Sequence, residues 1–186
     1  LIEEVGRMIG YNSFPKTLPA TAVPTIPVAY AHNYDFDYGI KQTLKGAGYS
    51  EIYTYSLISE DQLIKLSIDP TKTLRIDNPI SKEYEYLRPT LLGNLLEAVK
   101  LNQANYSEIN LYEFGKEYKG ESIDKAKENY WLCGVMSGEK FFEAKGIIEK
   151  ILTELGIKPE IVPPETLYSW LHPGRQAIIN NNLGFL

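Results

Sequence analysis

The chain has 186 residues, enough for one good-sized core or a core with a small appendage. Its apolar share of 44% and charged share of 23% are ordinary for a globular domain. A formal net charge of −5 with only four arginines argues against a surface built chiefly to grip phosphates. The single cysteine, Cys133, excludes an internal disulfide framework and fits a reducing compartment. It lies in the apolar run Tyr130-Trp131-Leu132-Cys133-Gly134-Val135, which reads as a buried, inert thiol. His32 and His172 are the only histidines, and no zinc spacing or membrane-length apolar stretch occurs.

In chain order, residues 1–10 read as the tail of a helix stopped by Gly10. Residues 11–32 carry Pro15, Pro19, Pro24 and Pro27 and read as an extended linker. Residues 33–47 read as a helix, capped by Asn33, with Phe36, Ile40 and Leu44 on one face and Gly48 beyond the end. Residues 51–57 are rich in Ile, Tyr and Thr, which predicts a strand. Ser59-Glu60-Asp61-Gln62 has the form of a capping box. Residues 73–76 predict a short strand, Asn78-Pro79 a turn, and residues 90–105 a helix with Leu91, Leu92, Leu95, Leu96 and Val99 as its apolar stripe.

Two strands follow at 109–118 and 130–136, then the clearest helix at 141–155, closed by Gly156. Residues 158–162 and 175–180 predict strands, and Asn180-Asn181-Asn182 a turn. Helices and strands do not alternate strictly. The pattern is that of an α+β domain, a mostly antiparallel sheet with helices against it. The expected division is a helix tail and Pro-rich linker over 1–32 and one core domain over 33–186. The absent initiator Met and the strand-like end at Leu183-Gly184-Phe185 suggest a piece of a longer protein, cut short at the C-terminus.

Six phrases, in order, resemble the β subunit of the bacterial-type phenylalanyl-tRNA synthetases. They are Leu1-Ile2-Glu3-Glu4-Val5 running to Gly10-Tyr11-Asn12, and Gly48-Tyr49-Ser50-Glu51 followed by Thr54-Tyr55-Ser56. Then come Asn78-Pro79-Ile80-Ser81-Lys82-Glu83 with Leu87-Arg88-Pro89-Thr90-Leu91-Leu92, and Leu111-Tyr112-Glu113-Phe114-Gly115. Phe141-Phe142-Glu143-Ala144-Lys145-Gly146 and His172-Pro173-Gly174-Arg175 complete the set. Each phrase alone is weak, but the ordered set spans nearly the whole chain. The resemblance implies a fold like that of class II aminoacyl-tRNA synthetases but without an active site. It also implies a cytoplasmic α2β2 ligase whose α subunit binds ATP and phenylalanine to charge tRNA(Phe). From the same resemblance, Glu3 and Glu4 belong to a Mg²⁺ site completed by oxygens outside this chain.

An adenylating site needs fixed arginines and magnesium around the phosphates. Here the strand comparable to the arginine-bearing strand of class II enzymes carries Glu113 instead. No nucleophile elbow, phosphate loop or zinc-protease helix offers another chemistry. Arg88 reads either as an intradomain arginine, with Glu83 and Glu85 as acceptors, or as a partner contact. Gly174 is expected to permit a turn that a Cβ would obstruct. Tyr34, Phe36 and Tyr38 on the 33–47 helix are the expected subunit-interface residues, with the alternative that all three pack inside the domain. Two other readings stand beside the supporting module: an RNA-binding surface built on the tyrosines, and a free-standing class II-type ligase.

Overall fold

The computed structural model describes residues 1–17, 34–164, 171–179 and 184–185. The expected Asn33 cap, the prolines beyond Pro15 in the linker and the Asn180–Asn182 turn lie outside them. So does the side chain of Tyr34. The chain divides into two compact units, Leu1–His32 and Asn33–Leu186.

In the first unit, α1 (Ile2–Ile9) stops at Gly10, whose φ of 90° suits glycine. A 3₁₀ turn, Tyr11–Ser13, follows, and the Ser13 hydroxyl donates to the Ile9 carbonyl at 3.2 Å. No residue of α1 is buried.

In the second unit, α2 (Tyr34–Gly46) buries Ile40 and Leu44. Phe36, expected on the same face, is 44% exposed, because the core packed on α2 begins one turn later at Ile40. Gly48, at φ 82°, takes the left-handed conformation that ends the helix. β1 (Ser50–Glu51) then pairs in parallel with Leu111–Tyr112.

The predicted strand over 51–57 is split. After β1 the chain leaves that sheet and reaches β2 (Leu57–Ile58), which pairs antiparallel with β3 (Tyr86–Leu87). The reason lies at Thr54, whose backbone N–H donates to the Glu113 carboxylate at 3.3 Å instead of joining a ladder. The predicted strand over 73–76 is reduced to one bridge, Arg75 to Tyr86, with Leu74 accepting from the Leu87 N–H.

Helix α3 (Glu60–Lys65) is capped by Ser59, whose hydroxyl oxygen accepts from the Gln62 N–H at 3.2 Å. The Gln62 side chain does not close the box; it donates to Asn94. Helix α4 (Leu92–Asn102) is shorter than expected, and its stripe is narrower: Leu91 and Leu95 are buried, whereas Leu96 is exposed.

The longest strands are β4 (Asn110–Lys119) and β5 (Lys127–Met136), an antiparallel pair in which Glu113 faces Cys133. Helix α5 (Phe141–Glu154) follows, and Gly156, φ 72°, closes its end. A small antiparallel sheet comprises β6 (Ile161–Val162), β7 (Ile178–Ile179) and β8 (Gly184–Phe185), in that order. The two predicted strands of this region are thus real but only two residues long each. The α+β architecture with mostly antiparallel pairing holds, with one parallel exception among the described residues at β1–β4.

Alternation along β4 gives its two faces different neighbours. Tyr112 points into an apolar core with Ile40, Leu44, Tyr49 and Ile151, joined by Leu132, Met136 and Ile147. Glu113, Gly115 and Glu117 point the other way, toward Arg88 and the start of α4. A second small core holds Ile58, Leu63 and Tyr86.

Candidate functional site

The polar face of β4 is organised around Arg88, which is only 3% exposed. Its Nη1 donates to Glu113 Oε1 at 2.7 Å and to Thr54 Oγ1 at 2.8 Å, and its Nε donates to the Lys116 carbonyl at 3.0 Å. Glu113 is 1% exposed, and it accepts from the Thr54 hydroxyl as well, at 2.6 Å. Asn94 donates to Thr54 Oγ1 and to the Tyr55 carbonyl, tying α4 to the 52–56 crossover. One turn of strand further on, Glu117 Oε1 accepts the Leu91 N–H at 3.1 Å, one of the helix-start donors that no intrahelical carbonyl can serve.

Gly115 stands where little space is left for a side chain. A Cβ there would lie 2.7 Å from Arg88 Nη2 and 3.3 Å from Leu91. The guanidinium occupies the space that a side chain on this strand would take. Two buried charges bring a desolvation cost, and the fixed acceptors around them offset it.

Arg88 is therefore an intradomain arginine in this structure, and its carboxylate partner is Glu113 rather than Glu83 or Glu85. It is not presented on the surface as an interface contact. Sequence spacing could not find this pair, since 25 residues separate its members. The available signal was an acid set between Tyr112 and Phe114 in a predicted strand. The Glu113 charge is met by Arg88 and turned inward. The other arginines are paired as well, Arg7 with Glu4, Arg75 with Glu85 and Arg175 with Glu139.

Cys133, across from Glu113, is half-buried and free. Burial, then Glu117, then Glu113 push its thiol up to about 12, so it stays protonated and inert. A cavity of about 790 Å³, which Cys133 also lines, lies between the hairpin and α5. Its walls include Leu44, Trp131, Ile148, Ile151 and Leu152, and no arginine lines it among the described residues.

At the edge of the main sheet, Glu51 takes a salt bridge from Lys41 at 2.6 Å and a hydrogen bond from Tyr53 OH at 2.9 Å. Partial burial alone would raise the Glu51 pKa. The hydrogen bonds from Lys41 and Tyr53 outweigh it and hold the carboxyl below its usual range. Lys41 is raised in turn, chiefly by Glu51.

Glu3 and Glu4 lie in the first turn of α1, exposed, and Arg7 Nη2 sits 2.9 Å from Glu4 Oε2. Adjacent helical residues point about 100° apart, and Mg²⁺ asks for about six oxygens in octahedral array. Two such carboxylates, one already paired, do not make a metal site by themselves. Among the described residues no group of three potential ligands converges. Gly174 departs from expectation: its φ is not positive, and a Cβ would meet His172 at an ordinary 3.6 Å. The turn is instead held by the Gly174 N–H donating to His172 Nδ1 at 3.1 Å. Phe36 and Tyr38 are exposed on α2, Tyr38 by 51%.

The arrangement of one parallel and two long antiparallel strands between helices is shared with class II aminoacyl-tRNA synthetases. A pyrrolysyl-tRNA synthetase from Desulfitobacterium hafniense superposes with a TM-score of 0.64 at 20% identity, over 82% of this chain and 56% of that one. That likeness establishes the fold. Within it, residues 14–184 match the family model of the phenylalanyl tRNA synthetase beta chain CLM domain, and the chain belongs to that family. A phenylalanine–tRNA ligase beta subunit from Carboxydothermus hydrogenoformans is 33% identical over 206 aligned positions, covering all of this chain and 25% of that protein. The corresponding subunit of Geobacillus kaustophilus is 36% identical over 196 positions, 96% of this chain and 24% of that protein. The chain thus spans about a quarter of the length of these relatives. Among the described residues, no helix is long and apolar enough to cross a membrane.

Proposed function

We propose that this chain is the non-catalytic, synthetase-like module of the β subunit of a cytoplasmic phenylalanine–tRNA ligase. It supports an α subunit that binds ATP and phenylalanine and charges tRNA(Phe), within an α2β2 assembly. The observation that carries the reading is the commitment of Arg88. The only arginine against the inner face of β4 is neutralised by Glu113, with the Lys116 carbonyl and Thr54 as its further acceptors. A phosphate-binding arginine must meet its ligand with donors in reach of the substrate. This one faces acceptors within its own domain. The test is phenylalanine-dependent pyrophosphate exchange by the isolated chain. Exchange at the no-protein background supports the reading, and exchange above it contradicts it.

In the same reading, α2 faces the α subunit through Tyr34, Phe36 and Tyr38. Exposure of Phe36 and Tyr38 supports this part. Replacing Tyr34 and Tyr38 by Glu should weaken binding of α with the circular dichroism of the chain unchanged, and unchanged co-purification would argue against it. Glu3 and Glu4 contribute to a Mg²⁺ site only where further oxygens complete the shell. Calorimetric titration should therefore find no Glu3-dependent affinity in this chain and a Glu3- and Glu4-dependent site in the full α–β complex. Direct tRNA contact is the second reading, and a salt-dependent RNA-binding assay on the isolated chain separates it from the first.

A further inference from the structure

We draw no further inference here: the strongest candidate, the outer edge of β5 with the largely apolar cavity of about 790 Å³ beside it, carries nothing, because nothing among the described residues shows what covers it.

Discussion

The two faces of the β4–β5 hairpin are held by different physics. One face is apolar: Tyr112, Leu132 and Met136 meet α2 and α5, where the contribution of each side chain scales with the area it hides from water. The other face is ionic: Arg88, Glu113, Thr54 and Asn94 form a connected set in which each group's position depends on the rest. An apolar face tolerates a lost methylene at modest cost, and here it borders a cavity of about 790 Å³. An ionic face does not tolerate a lost partner, because the survivor stays buried and charged. In the proposed reading, the contrast shows how a synthetase-like fold can serve as a scaffold: the Arg88 charge is neutralised within the domain.

The largest expected effect follows from breaking the ionic face on one side. Arg88→Met strands Glu113 and should destabilise the chain by about 3–5 kcal/mol in denaturant unfolding. The double variant Arg88→Met, Glu113→Leu should recover most of that loss, and a double variant no better than the single would refute the pairwise account. On the apolar face, Ile151→Ala should cost about 2–3 kcal/mol, at the low end for core truncation because the neighbouring cavity already limits its contacts. Gly115→Ala sharpens the comparison from the other direction. Its new Cβ must displace a guanidinium that is hydrogen-bonded in place, at a cost of about 1–3 kcal/mol. In the Arg88→Met background the same change should be better tolerated, with the coupling read from a double-mutant cycle.

The smallest effect lies at the sheet edge. Glu51 has a depressed pKa in the folded chain, so its contribution is present above the unfolded carboxylate value of about 4.3 and is lost as pH falls through the folded value. Glu51→Gln should therefore be slightly less stable than the parent near neutrality, and the two unfolding curves should converge in acid. A gap that persists below the carboxylate range would show that the hydrogen-bond geometry, not the charge, matters there.

The contrast between the faces also separates what sequence revealed from what it could not. Helix α5 was legible because Ile147, Ile151 and Leu155 recur at helical spacing and Gly156 supplies the stop. The β4 strand was legible from its Tyr and Phe content. The ionic face was not, because Arg88 and Glu113 meet only after the chain has returned through α4, and local spacing favoured Glu83 and Glu85. The same tertiary pull split the 51–57 segment: Ile-Tyr-Thr-Tyr has strand composition, but Thr54 is drawn to Glu113 and the ladder breaks.

The central claim is that the buried arginine of this synthetase-like fold is structural and touches no substrate. The most direct measurement is steady-state charging of tRNA(Phe) by the full α–β complex carrying the Arg88→Met, Glu113→Leu double variant, with assembly checked by sedimentation. KM for ATP and kcat should match the parent complex, because the paired charges leave together and the fold remains. A KM for ATP raised by roughly tenfold or more in a fully assembled complex, the signature of lost substrate binding, would contradict the account.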